Sequence, residues 1–404
     1  MSFNLLEGFR IIDVSQYAPG PYCSLLLADL GAEVFKVEPP GGEPMRRIGP
    51  IEEDGISGWY KVLNRSKKVI ELDLKSEEGS KAFERLVASS DALLESYRPG
   101  VLDRLGFSEE NITKINPKIV VCSLSGWGKT GPYSSRAGHD LNYMALCGAL
   151  YTSGQSGMPS ITNPPVADYA SGVQSAFSIV AGLLSQARKQ ESDKPRPIFI
   201  DTSIAESVLP WTACVQTQEV SEESPINIED TFLNNGAAFY HIYETKDGRH
   251  ITVGAVEEKF WEQFCIAIGQ EGFISRQFEK CPQDRLIADV AAIIVSRTQE
   301  EWTKHFRDFD CCFEPVHSLA QVRNNEQIVA RKMLRTESSE AKRVEVAFPA
   351  WINGRPMPNG KSVEFISIDE LEKAENIDQA LIRFLTVRVK KHDLDKTYFE
   401  KKEI

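Results

Sequence analysis

The segment AGHDLNYMAL, residues 137 to 146, sets His139, Asp140, Asn142 and Tyr143 ahead of an apolar run, directly after the turn-rich GWGKTGPYSSR. An imidazole at a helix start is disfavoured as imidazolium by the positive end of the helix dipole, so His139 is a neutral base in waiting. Asp140 beside it has the residue type of a helix cap. Asp168, in VADYASG, opens a second and longer apolar segment. A carboxylate there is a favoured cap worth ~1 kcal/mol, and the free N–H groups of the first turn keep it ionised as a base or a nucleophile. Taken alone, each residue also has an ordinary structural reading: a polar loop histidine and two caps.

Two further stretches, NRSKK (64–68) and KTGPYSSR (129–136), place cations and backbone N–H groups in loops beside strands. That is where an open α/β sheet receives an anionic nucleotide group. The remaining histidines (241, 250, 305, 317 and 392) show no spacing that exceeds a solvated or packing role.

The elements that must hold these residues alternate. RIIDVS (10–15), AEVFKVE (32–38), KKVIELDL (67–74), DALLES and KIVVCSLS read as strands. The helical stretches between them include APGPYCSLLLADLG (18–31) and the amphipathic SEEGSKAFERLVASS. Strands separated by helices of roughly ten to fifteen residues predict right-handed βαβ units, hence an α/β fold around an open parallel sheet. The segment 167–190 predicts a buried helix, apolar around most of its circumference, whose small residues Ala170, Ser171 and Gly172 bring its first turns close to another element.

Farther on, IFIDTSIAESVLPW returns to strand then helix, and the acidic EVSEESPINIED (219–230) reads as a linker. GAAFYHIYETKDGRHITVGAV is a hairpin with DG as its turn, followed by the helices EKFWEQFCIAIG and TQEEWTKHFRDF. From about residue 330 the chain turns irregular. The expected division is a large Rossmann-like domain over 1–218, a linker over 219–232, a small α/β domain over 233–330, and a segment over 331–404 returning to the large domain.

Several functions are excluded or disfavoured. The first βα turn, VSQYAPGPY, lacks G-x-G-x-x-G, which disfavours a nicotinamide or flavin dinucleotide, and no P-loop sequence occurs. A net charge of −12 argues against nucleic acid as a partner. No apolar run reaches the ~20 residues that span a bilayer, and MSFNLLEGFRIIDV does not read as a leader, so no membrane association is expected. The eight cysteines are scattered without C-x-x-C, and Cys311-Cys312 is not metal-ligand spacing. Reduced thiols in a cytoplasmic protein without a metal are the expectation.

In longer blocks the sequence is similar to a known family. GFRIIDVSQYAPGPYCSLLLADLGAEVFKVEPPGGEPMRR resembles the N-terminal signature of the class III CoA-transferase superfamily, the CaiB/BaiF type, which also includes α-methylacyl-CoA racemases. ESYRPGVLDRLGFS, SLSGWGKTGPY, VADYASG and FYHIYETKDGRHITVGAVEEKFW are similar to its further blocks, in order, from residue 5 to about 330. The resemblance implies a Rossmann-like large domain plus a smaller α/β domain in an interlocked homodimer. It also implies a small-molecule acyl-CoA substrate and no cofactor beyond the coenzyme A that the substrate carries.

Residue by residue, the resemblance implies that Asp168 is catalytic, and that His139 and Glu257, the latter in VGAVEEKF, are the additional racemase residues. It implies CoA contacts at Leu72, Asp73, Leu74 and Lys75, at Arg98 of the YRPG block, and at Ala137, Gly138, Asp140, Leu141 and Asn142. One position departs from the racemases: Pro39 stands where they carry arginine, as is common among transferases. Two reactions stay open on these residues. One is 1,1-proton transfer on a 2-methylacyl-CoA between His139 and Asp168; the other is CoA transfer between carboxylic acids through an acyl anhydride of Asp168.

Overall fold

The computed structural model describes residues 4–154, 158–190, 192–223, 231–335, 343–358 and 360–371. Contacts divide the chain into two compact units: Met1–Arg136 with Asp168–Ser203 and Arg335–Ile404, and Ala137–Ala167 with Ile204–Leu334. The division differs from the expected boundary at 218. The chain leaves the first unit at Arg136 and returns at Asp168, and the short helix after the sixth strand contacts the helix after His139.

The first unit is built on a seven-stranded sheet. Six of its strands are short apolar runs: β1 (Arg10–Val14), β2 (Glu33–Glu38), β3 (Lys67–Glu71), β4 (Ala92–Glu95), β5 (Val120–Ser125) and β6 (Ile198–Ser203). The spatial order is β3-β2-β1-β4-β5-β6, all parallel, and the two-residue strand Glu364–Phe365 adds beside β3. The expected strand over 67–74 is shorter than its apolar pattern, because Leu72 and Leu74 leave the ladder but stay buried in the core.

Helices α1 (Pro19–Asp29), α2 (Gly58–Asn64), α3 (Glu77–Ser89), α4 (Val101–Arg104) and α5 (Glu109–Ile115) lie in the connections. On α3 the apolar spacing turns Phe83, Leu86 and Val87 inward, and Ser76 caps it by accepting from the Gly79 N–H at 3.0 Å. With Ile12, Phe35, Ile70, Leu93 and Val121 of the sheet they form one core. Strand order reverses at β1, with β2 on one side and β4 on the other, so the loop after β1 lies where such sheets bind ligands.

Beneath that loop, the sheet interior is charged. Lys36 of β2, Lys67 of β3 and Asp13 of β1 are all fully buried, as is Glu43. Lys36 Nζ lies 3.1 Å from Glu43 Oε1 and 4.0 Å from Asp13 Oδ2, while Lys67 Nζ lies 3.3 Å from that same oxygen. The hydroxyls of Ser15 and Ser24 donate to Asp13 as well. Burial by itself raises a carboxyl pKa, but here the two ammonium groups and two hydroxyls outweigh it, and Asp13 falls to about 2.

Its folded pKa is therefore below the unfolded one. The stabilisation is complete above pH ~4 and is lost as pH falls through about 2. Asp13→Asn leaves two buried ammonium groups without their shared anion, and it is expected to cost about 3–5 kcal/mol at pH 7. Urea unfolding at several pH values measures this: the gap between variant and wild type must narrow between pH 4 and 2, and a pH-independent gap refutes the assignment.

The second unit carries a three-stranded antiparallel sheet of β7 (Tyr240–Glu244), β8 (His250–Gly254) and β9 (Phe313–Pro315). The Asp-Gly turn forms as read, with Gly248 at φ +69° and Thr245 N–H donating to Arg249 C=O. Helices α6 (Asp140–Leu146), α7 (Val166–Ala187, which crosses into the first unit), α8 (Ile204–Val208) and α9 (Ala213–Glu222) precede this sheet. α10 (Glu258–Ala267) and α11 (Asp284–Ile294) follow β8, and α12 (Gln299–His305) leads to β9. Trp261, Phe264, Val290, Trp302 and Phe306 make this unit's own core.

Two expectations change here. α9 runs into the acidic stretch read as a linker from residue 219, of which 224–230 lie outside the described residues. α7 is not buried all round: Val173, Phe177 and Leu184 form an exposed apolar stripe. Of the expected C-terminal segment, 336–342, 359 and 372–404 lie outside the described residues.

Candidate active site

His139 is the residue at which helix α6 starts. Its own N–H donates to Asn142 Oδ1 at 3.0 Å, and its carbonyl accepts from the Asn142 N–H at 2.8 Å. This reciprocal arrangement satisfies backbone groups at the helix end, and His139 is exposed. One residue earlier, Gly138 C=O accepts from the hydroxyl of buried Tyr143 at 2.7 Å. Four hydrogen bonds to backbone groups therefore fix the main chain at 138–139.

Asp140 was read as a cap for its own helix. It is a cap, but for another one: Asp140 Oδ1 accepts from the Ala167 N–H at 2.7 Å, at the start of α7. Position 140 is the first residue of α6, and the reciprocal pair of residues 139 and 142 already serves that helix end. The hydrogen bond joins the residue after His139 to the residue before Asp168.

Asp168 stands in the first turn of α7 and is half-buried. The small residues read after it do bring the helix close to another element. A Cβ on Gly172 would sit 2.7 Å from Pro19 C=O, at the start of α1. Tyr22 and Tyr169 meet edge to face there at 4.7 Å. One helical turn beyond Asp168, α7 is thus pressed onto the end of the loop that follows β1.

Glu257 is exposed at the position preceding α10, where its carbonyl accepts from Phe260 and Trp261 N–H groups. Among the described residues no hydrogen bond or ion pair joins it to His139.

The residues implied for CoA fall into separate groups. Leu72 and Leu74 face the core, which leaves their backbone and the exposed Asp73 and Lys75 to meet a ligand. Asp73 Oδ1 accepts from the Lys75 N–H at 3.0 Å, a tight turn before α3. Arg98 lines a cavity of about 440 Å3 at the carboxyl ends of β4 and β5, with Lys129, Glu95 and Ser123. Lys129 belongs to the basic loop 129–136, so the cavity gathers cations from two of the sequence blocks. Burial pushes the Glu95 carboxyl up, against the pull of the Ser123 hydroxyl, the Tyr97 N–H and Lys129. Ala137, Gly138, Asp140, Leu141 and Asn142 lie in the second unit, around the start of α6.

Sequence reading missed the buried ions Asp13, Lys36, Glu43 and Lys67. A signal was present: strands of a doubly covered parallel sheet are nearly continuous apolar runs, and a charge inside RIIDV or EVFKVE breaks that rule.

Residues 6–360 match the family model described as CoA-transferase family III. The chain belongs to CoA-transferase family III. It is 30% identical over 368 residues to α-methylacyl-CoA racemase of Homo sapiens, covering 89% of this chain and 90% of the relative. To succinyl-CoA:glutarate CoA-transferase of Homo sapiens it is also 30% identical, over 332 residues, covering 80% and 74%. A crystal structure of a CaiB/BaiF family protein from Brucella suis superposes with a TM-score of 0.78 at 23% identity, covering 92% of this chain and 98% of that one, so the two share a fold. Members of this family III include racemases and CoA-transferases, both enzymes.

Proposed function

We propose that the chain inverts the α-carbon of a 2-methylacyl-CoA by 1,1-proton transfer between His139 and Asp168. A thioester α-proton is acidic enough for a positioned general base when hydrogen-bond donors receive the enolate oxygen. One of the two residues takes the proton, and the C–H electron pair moves into the enolate. The protonated form of the other returns a proton to the opposite face, and the roles exchange for the other enantiomer. N–H groups in the first turn of α7 are the donors for the enolate, and the family resemblance alone gives Glu257 the role of orienting the imidazole, since no described hydrogen bond joins the two. Coenzyme A enters as part of the substrate, with Asp73, Lys75, Arg98 and the backbone of 137–142 as its contacts.

The observation that carries this reading is the hydrogen bond from Ala167 N–H to Asp140 Oδ1. It ties the neighbours of the two reacting residues together, and His139 itself is exposed. Pro39, in place of arginine, favours a second reading. In it Asp168 attacks the thioester carbonyl, forming an aspartyl anhydride and releasing CoA thiolate. The thiolate then attacks the acylated aspartate or, after the acceptor acid has displaced the first acid, the new anhydride, so that CoA ends on the acceptor. Against that weight stands Arg47, whose Nη2 donates to Gly41 C=O in the turn after Pro39 and which is exposed there as a replacement cation.

Incubation with a 2-methylacyl-CoA in D2O tests the reading. Deuterium is expected at the α-carbon together with loss of optical purity. No exchange across several chain lengths, with CoA appearing on an added free acid instead, gives the transferase reading.

A further inference from the structure

The loop after β1, Ser15 to Ala18, has its polar backbone groups held from beneath by side chains. Ser15 C=O accepts from Lys36 Nζ at 2.8 Å, Gln16 N–H donates to Ser96 Oγ at 3.1 Å, and Tyr17 N–H donates to Glu43 Oε2 at 2.9 Å. Lys36 and Glu43 are themselves ion-paired at 3.1 Å, with no solvent exposure on either side chain. Around them stand Asp13, Lys67 and Glu38, the last bound by Arg46 and by the Tyr60 hydroxyl.

Tyr17 has φ +64°, a left-handed backbone that costs a bulky residue roughly 1–2 kcal/mol and persists only where its surroundings impose it. The residue is nevertheless 43% exposed. A buried ion pair gains little stability over apolar side chains of the same volume, because desolvation offsets the attraction. Stability alone does not account for five buried charges under one short loop. Position does: the loop lies where the strand order reverses, and its far end, Pro19, touches Gly172 one turn from Asp168.

We propose that the buried Lys36–Glu43 pair is a positioning device for substrate, holding the β1–α1 loop in the one conformation that sets Tyr17 against the thioester end of a bound acyl-CoA. The proposal rests on the acyl-CoA reading given above. Lys36 and Glu43 act through Tyr17 and touch no substrate.

Acetyl-CoA titrated calorimetrically into the full chain, with amide hydrogen exchange of residues 15–18, tests it. Glu43→Leu is expected to weaken binding about tenfold and to speed exchange of the Tyr17 amide, as loss of a charge-assisted hydrogen bond implies. Glu43→Gln, which keeps one acceptor for the Tyr17 N–H, falls between wild type and Glu43→Leu on both readouts. Tyr17→Ala weakens binding to a similar extent without altering the fold, and it alone decides if Glu43→Leu does not fold. Wild-type affinity in Tyr17→Ala, or in folded Glu43→Leu, overturns the proposal. Failure of the wild-type chain to bind acetyl-CoA at all instead removes the acyl-CoA reading, and the proposal with it.

Discussion

Asp168→Asn is expected to lower kcat/KM for the proposed α-proton exchange by about 10^3-fold or more, and to remove CoA transfer to the same extent if that is the reaction. The amide keeps the size and the helix-start geometry of the carboxylate but is neither a base near neutral pH nor a nucleophile. The fold is expected to survive. The hydroxyl of Ser171 donates to the Asp168 carbonyl, and the Gly172 and Tyr169 contacts, which the substitution leaves in place, press α7 onto α1. Deuterium incorporation followed by mass spectrometry reads the loss, and thermal unfolding checks that the variant is folded. A folded Asp168→Asn protein retaining a tenth of the wild-type rate would falsify both reactions assigned to this residue.

His139→Ala separates the two reactions. Racemisation needs a second group on the opposite face of the α-carbon, and losing it is expected to cost about 10^2- to 10^4-fold in exchange. Transfer through an anhydride needs only Asp168, so CoA uptake by an added acid is untouched in that case. The substitution is unusually clean because the start of α6 is closed by backbone groups of His139 and the side chain of Asn142, all retained with alanine at 139. Stereochemical scrambling and acid-dependent CoA release, measured on one preparation, read the two outcomes separately. Undiminished α-exchange in the variant would sink the proton-transfer assignment.

The two effects differ in what they require of the tertiary structure. Asp168 needs only a helix start and the dipole that comes with it. Under the proposed proton transfer, His139 requires in addition a fixed approach to the same carbon; the Asp140–Ala167 hydrogen bond links the residue after His139 to the residue before Asp168. Residue type marks Asp140 as a cap beside the start of α6, but the N–H it reaches belongs to the start of α7. A cap is recognised by residue type and by the N–H it can reach, and only the second of these depends on chain segments 27 residues apart.

Local pattern alone determined a good deal. The parallel strands, the amphipathic α3 and the Asp-Gly hairpin are set by short-range spacing and turn chemistry, which do not change when the chain folds. The longer family blocks identified the fold and singled out His139, Asp168 and Glu257.

Tertiary structure decided the rest. It put Leu72 and Leu74 into the core after the strand that their apolar pattern extends, left one stripe of α7 exposed, and grouped residues 137–167 with the second unit. It also brought Asp13, Lys36, Glu43 and Lys67 from three strands and a loop into one buried cluster. Periodicity registers how often apolar residues recur; it carries nothing about which charge meets which across neighbouring strands. Burial of an ion is tolerable only when its partners arrive from elsewhere in the chain, so the sequence flags such a residue as an anomaly and the fold alone supplies its reason.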